Sequence, residues 1–174
     1  YRLTYTQPAQ AKVLLDLGGH ISTSTMVNAH ASRVSDTEIA GYFDTTGRVW
    51  GGVDKARVYF VVRFDRPFRT LNSWTETERK HHIMQMEGST EAFEVPGSSF
   101  KQSPTAGVEA DFEEVQPGEQ ILLKTAVSYV SIANARENMD KECSHWDFGQ
   151  VRNRALSVWN EWLSRIKAEQ MRRR

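Results

Sequence analysis

Cysteine, net charge and long apolar runs are all scarce in this sequence. Cys143 stands alone, so no disulfide can close within the chain. A single cysteine in the polar run Asp140-Lys141-Glu142-Cys143-Ser144-His145 does not assign a redox compartment. Lys plus Arg is 22 and Asp plus Glu is 22, which leaves the 174 residues with no net charge. No global field gathers nucleic acid or an anionic membrane surface; the closing Arg172-Arg173-Arg174 is only a local basic tail. No stretch reaches the roughly 18 apolar residues of a spanning helix. The longest apolar runs, such as Val58-Tyr59-Phe60-Val61-Val62, have strand length. With 11 Gly and 5 Pro, collagen-like and low-complexity classes are excluded.

The common chemical motifs are missing too. No zinc-type spacing occurs, and His81-His82 are adjacent, so in a strand they face opposite sides. Ser22, Ser24 and Ser32 lack a nucleophile-elbow context. Glycines 18, 19, 41, 47, 51 and 52 make no phosphate loop. Carboxylates are scattered, and Asp111-Phe112-Glu113-Glu114 is too short for an EF-hand loop and reads as a solvated turn. No catalytic residue and no metal ligand is assigned. The chain opens at Tyr1 without an initiator Met or a signal peptide, so we expect it to be cut from a longer protein.

What is present is strand pattern, then helix pattern. Residues 2–6, 11–17, 37–43, 56–65, 106–112 and 120–130 read as strands, and 23–34 as a weaker strand pair. Arg66-Pro67 stops the strongest strand, and Pro117-Gly118-Glu119 is a sharp turn. Residues 74–86 fit a polar strand or a helical turn, and 91–95 a strand. About eight to ten short strands without crossover helices predict a mainly-β fold, an antiparallel β-sandwich. Ser131 is placed to cap a helix through Lys141, and Asp147 a second, with Gln150 completing a capping box. In that second helix Val151, Ala155, Val158, Trp159, Trp162 and Ile166 recur at helical spacing, widened by Leu156 and Leu163. A face that wide needs a docking partner, in the sandwich or beyond the chain. The expected organisation is a sandwich over 1–130 and C-terminal α-helices over 131–174.

Three residues suggest sugar contact. Trp50, in the glycine-rich run Gly47-Arg48-Val49-Trp50-Gly51-Gly52, suits a rim aromatic. Arg48 beside it could donate a pair of hydrogen bonds. His20 follows Gly18-Gly19 at a strand end, where loops often carry function. Each also has a plain packing or surface reading. A free-standing carbohydrate-binding module would need an exposed aromatic platform, for which Trp50 and Trp74 are the candidates.

Three stretches together resemble one family. They are Leu14-Leu15-Asp16-Leu17-Gly18-Gly19-His20; Glu38-Ile39-Ala40-Gly41-Tyr42 with Trp50 and Val58-Tyr59-Phe60-Val61-Val62-Arg63-Phe64-Asp65-Arg66-Pro67-Phe68; and the junction from Val127-Ser128-Tyr129-Val130-Ser131 through Trp146-Asp147-Phe148 to Trp159-Asn160-Glu161-Trp162. This resembles glycoside hydrolase family 92, calcium-dependent exo-acting α-mannosidases. The resemblance implies the later part of an amino-terminal supersandwich-like domain plus the helical linker to an (α/α)6 catalytic domain. It also implies calcium for the full enzyme but none in this chain, mannose-containing glycans as ligands, and a secreted, outer-surface or periplasmic location. Acid, base and calcium ligands would lie in the absent domain. The chain alone would then be inactive, with Trp159, Trp162 and Ile166 at the domain interface. Two other readings compete: a carbohydrate-binding sandwich, and an interaction module that uses the Trp159/Trp162 face.

Overall fold

The protein is described by a computed structural model, which places residues 1–18, 20–21, 24–46, 55–75, 78–89, 93–94, 101–102 and 105–165. The strands in chain order are β1 (Arg2–Thr4), β2 (Ala9–Asp16), β3 (His20–Ile21), β4 (Ser24–Ser35), β5 (Glu38–Thr46), β6 (Lys55–Phe64), β7 (Thr70–Thr75), β8 (Arg79–Lys80), β9 (Gln85–Ser89), β10 (Phe93–Glu94), β11 (Lys101–Gln102), β12 (Ala106–Val115) and β13 (Gln120–Ser128). Two helices follow, α1 (Ile132–Glu142) and α2 (Phe148–Leu163). A seven-stranded sheet runs β1-β13-β6-β5-β4-β3, with β9 also on β4, and a four-stranded sheet runs β2-β12-β7-β8. Every pairing among the described residues is antiparallel. The mainly-β reading followed by helices is therefore correct. The chain divides into two compact units, Tyr1–Ser144 and His145–Arg174, so α1 belongs with the strands.

Alternation along each strand builds the core. Phe60, Val62 and Phe64 of β6 turn inward with Ile39 of β5, Ala29 and Ala31 of β4 and Ile121 of β13. They meet Val13, Leu71, Val108, Ala110 and Phe112 of the other sheet in one buried cluster. Phe64, Phe68 and Phe112 pack edge to face, with ring centres 5.1–6.3 Å apart. The Pro117 turn closes through Gly118, whose φ of 88° suits glycine, and whose N–H donates to Tyr5 O at 2.8 Å.

Three sequence expectations change. Asp111-Phe112-Glu113-Glu114 is no solvated turn: it lies within β12, whose pairing with β2 shifts register between Asp111 and Glu114. Residues 24–34 are not a strand pair, and Thr23 lies outside the described residues. Residues 24–34 lie in the single 12-residue β4, bent by irregularities at Met26/Asn28 and Arg33/Ser35 and shared by β3, β5 and β9. The bends interrupt the period that a clean alternation would show. The helical-turn option for 74–86 is also wrong. The stretch carries the end of β7, then β8 and the start of β9, with His81-His82 in the bend between them. The expected strand at 91–95 survives as Phe93–Glu94, and its other residues lie outside the described set.

Helix α1 lies on the outer face of the seven-stranded sheet. The Ser131 side chain caps it by accepting from Asn134 N at 3.0 Å. Ala135 and Met139, one turn apart, pack on Ala40 and Val61. Burying Met139 contributes about 1.5–3 kcal/mol. Beside this small apolar contact sits a buried carboxylate. Glu38 is 7 % exposed. Arg63 donates to its Oε2 at 3.0 and 2.8 Å, and Arg136 of α1 to its Oε1 at 3.0 and 2.6 Å. Arg63 also reaches Asp140 at 2.9 Å. At the far end Lys124 donates to Cys143 O at 2.7 Å, a cation at the negative end of the helix.

Burial alone would raise the Glu38 pKa, but the hydrogen bonds from Arg136 and Arg63 outweigh it and hold the carboxyl below its usual range. Its stabilising contribution is complete above the unfolded value of about 4.3 and is lost as pH falls through the lower folded value. Arg136→Met should destabilise the chain by about 1.5–3 kcal/mol at neutral pH, read by urea denaturation. Glu38→Gln should flatten the loss of stability as pH falls below the ordinary glutamate value of about 4.3. An acid transition unchanged by Glu38→Gln would refute this account of the clamp.

Candidate functional site

Three surfaces offer chemistry. The first is α2. Its N-cap Asp147 accepts from Gln150 N at 2.9 Å. The reciprocal half of the expected capping box differs: Asp147 N donates to His145 Nδ1 at 3.2 Å. No residue of α2 is buried. Trp159 is 65 % and Trp162 57 % exposed, with Leu156, Val158 and Leu163 similarly open. Arg165 stacks on Trp162 with its guanidinium 3.9 Å from the ring centre. Ile166, the third expected interface residue, lies outside the described residues.

The second surface lies on the same face of the seven-stranded sheet as the α1 contact. A cross-strand row runs Glu87, His30, Tyr42, Tyr59, Ser128 through β9, β4, β5, β6 and β13. His30 stacks on Tyr42 with ring centres 5.4 Å apart, and Tyr59 meets Tyr42 edge to face at 6.2 Å. One step along the strands, Arg57 grips the buried Asp44 with two hydrogen bonds of 2.6 and 2.8 Å and lies 4.0 Å over the Tyr42 ring. Asn28 adds a donor to Asp44 at 3.1 Å. The Arg57 hydrogen bond lowers the Asp44 pKa, burial opposes it, and the result stays below the ordinary carboxylate range. Asp44 is a fixed acceptor here, not a proton donor at neutral pH.

The third surface is the outer face of the four-stranded sheet. Trp74 of β7 lies beside Gly107 of β12, and a side chain at 107 would collide with the indole and with Leu15 O. Next along the strands, Asn72 donates to Glu109 Oε1 at 3.3 Å and to Asp111 Oδ2 at 3.0 Å. Lys12 reaches Glu109 at 2.8 Å and Asp111 at 3.3 Å. Burial would raise the Asp111 pKa, but Asn72 and Lys12 bring it below normal.

Of the residues expected to touch sugar, Trp50 and Arg48 lie outside the described residues. His20 is placed by its backbone alone, opposite Thr25 in β3. Sequence reasoning missed the Tyr42–Arg57–Asp44 group and the Asn72–Glu109–Asp111 group. Their members come from strands far apart in sequence, so no local spacing announces them. The period-2 pattern could have placed Tyr42 and Asp44 on one face of β5. Among the described residues no three His, Cys, Asp or Glu side chains gather to hold a metal ion. A small cleft of about 220 Å³ lies between Arg66, Pro67 and Phe112–Val115.

These features define a class: an antiparallel β-sandwich domain that hands its chain over to helices. The chain belongs to the glycosyl hydrolase family 92 N-terminal domain family, whose profile matches residues 1–128. Similar folds occur in the family GH92 α-mannosidase BT3965 from Bacteroides thetaiotaomicron, at 23 % identity and a TM-score of 0.70, covering 97 % of this chain and 21 % of that one. The inverting mannosidase BT2199 of the same organism gives 19 % identity and a TM-score of 0.67, covering 91 % of this chain and 18 % of that one. A GH92 family glycosyl hydrolase, ccman5, gives 18 % and 0.70, covering 97 % and 20 %. This chain thus spans about a fifth of the solved structures it matches. Comparison with curated proteins returned no match.

The open tryptophan face of α2 has a measurable consequence. The 174-residue chain should self-associate at high concentration, and Trp159→Ser with Trp162→Ser should reduce this at least severalfold in sedimentation velocity. Unchanged association would place the contact elsewhere.

Proposed function

We propose that this domain is the non-catalytic amino-terminal part of an exo-α-mannosidase, α-1,2-mannosidase-like in its linkage preference, acting on terminal α-mannosides of glycans. The observation that carries the reading is the family match over residues 1–128, in a chain a fifth as long as the solved mannosidases that share its fold. In this reading the downstream part of the polypeptide folds as an (α/α)6 catalytic domain. That domain supplies the acid that protonates the leaving oxygen, the base that activates water, and the calcium ligands. The sandwich supports it and contributes one wall of the pocket, through Arg48, Trp50 and His20. The tryptophan face of α2 is the contact with the catalytic body. The full protein works outside the cytoplasm, at the cell surface, in the periplasm or in the medium.

Two features of the chain suit a support. α1 is fixed to the sheet by charge as well as by packing, which holds the start of the linker rigid. α2 keeps an apolar face open for a partner. The test is mannosidase activity with and without calcium, on the full polypeptide and on this chain. The full polypeptide should release mannose from α-1,2-mannobiose, and this chain alone should release none. Turnover by the 174 residues alone would overturn the reading, as would a full polypeptide inert toward every α-mannoside.

A further inference from the structure

We propose that the outer face of the four-stranded sheet binds a neutral hexopyranose ring of a glycan, with Trp74 as the stacking platform and Glu109 as the chief hydrogen-bond acceptor. The face is a tile of three cross-strand rows drawn from β2, β12 and β7. The first row is Asp16, Gly107, Trp74; the second is Leu14, Glu109, Asn72; the third is Lys12, Asp111, Thr70.

Gly107 shapes the first row. It faces outward yet is buried, because the six-membered ring of Trp74 occupies the space its side chain would fill. The indole therefore reaches over Gly107 while Trp74 stays half-buried, so part of the ring is exposed. A flat aromatic held against a sheet presents a π face, and a pyranose presents a face of C–H groups that packs on it with large apolar contact. Leu14, 59 % exposed on β2 at the far side of β12, extends the apolar ground of the tile.

The second row supplies polar groups fixed in advance. Asn72 is 7 % exposed and fully used. Its Nδ2 serves both carboxylates, and its Oδ1 accepts from the N–H of His82 at 3.1 Å. Lys12 and Asn72 both donate to Oε1 of Glu109, and the Asp111 carboxyl lies within reach of the same side chain. A ligand hydroxyl would donate to Oε2, a charge-assisted bond whose geometry costs little to set up. Thr70 donates to Asp111 Oδ2 at 3.3 Å and holds the third row in the same way.

Charge selects the ligand class. The tile carries one cation, Lys12, against three carboxylates, Asp16, Glu109 and Asp111, and a second cation, Arg79, stands at its edge on β8 opposite Trp74. Both cations lie beside carboxylates or at the edge, so a phosphate or nucleic acid would meet repulsion at the centre. Neutral hydroxyls meet acceptors. A shallow site of this size gives a Kd on the order of 1 mM.

The choice of a mannoside as first probe rests on the proposed function; the site itself rests on the tile. The five tryptophans give five indole N–H signals in a ¹⁵N spectrum of the 174-residue chain, and Trp74→Phe assigns one of them. The wild-type chain is titrated with α-1,2-mannobiose, cellobiose and maltose in turn. The Trp74 signal should shift saturably with at least one. Glu109→Gln, checked for folding by circular dichroism, should raise that Kd about tenfold, the loss of one charge-assisted hydrogen bond. A Trp74 signal unmoved by all three sugars overturns the proposal, as does movement of other indoles only or an unchanged Kd in Glu109→Gln. A shift with cellobiose or maltose but not mannobiose supports the site and counts against the mannosidase reading.

Discussion

One carboxylate joins the two kinds of secondary structure in this domain. Glu38 opens β5, faces away from the core, and receives four N–H donors from two arginines, one on β6 and one on α1. Taking three ionised groups out of water is expensive, and a well-packed apolar cluster of the same volume would serve stability as well or better. What the charged arrangement adds is direction. The apolar contact beneath α1 is small, built from Ala40, Val61, Ala135 and Met139 with Ala126 and Ile132 at its edge. Such a contact would tolerate a slide or a rotation of the helix. Two arginine forks on the two oxygens of one carboxylate tolerate neither. The position of α1, and with it the point from which the chain leaves the sandwich, depends on that geometry.

Much of this was readable in the sequence, for definite reasons. β6 announced itself because its apolar residues alternate and are β-branched or aromatic, and Pro67 ends the pattern. Both helix starts were readable because Ser131 and Asp147 sit one residue before a helical period, and each does accept the expected backbone N–H. β4 was misread because its bends break the period, although every pairing it makes is regular on either side. The 70–89 region was opaque for another reason. Its residues are polar because one face of β7 is an exposed surface, so Asn72 and Trp74 gave no core signal. His82, at a φ of 54°, marks a tight corner that no glycine advertises. Its N–H is held by Asn72, ten residues earlier, a contact that only the sheet brings about.

The two sheets treat their outer faces differently. The seven-stranded sheet covers part of its face with α1 and lays a row of His30, Tyr42 and Tyr59 on the same face. The four-stranded sheet fills its face with side chains of its own: an indole over a glycine, then two carboxylates bridged by an amide. A merely solvated face needs neither a glycine cut to fit an aromatic ring nor a buried asparagine spending both ends of its amide. The polar groups of that face are arranged before any ligand arrives, which is the usual requirement for weak but selective recognition by a shallow surface.

The change of character at Ser144 bears on how such a domain would act within a longer protein. Up to that residue the chain is bound to the sheet by Glu38 and Lys124, and after it a separate unit begins. α2 is not a continuation of α1: it has its own cap, and the residue before that cap is turned by the His145 ring. A single long helix would transmit any tilt of one end to the other along about 1.5 Å per residue. Two helices with a fresh start between them leave α1 to be fixed by its own contacts, of charge and of packing. That division requires the α1 clamp to be strong in itself. The four hydrogen bonds to Glu38 are the means by which an otherwise small helix–sheet contact meets that requirement.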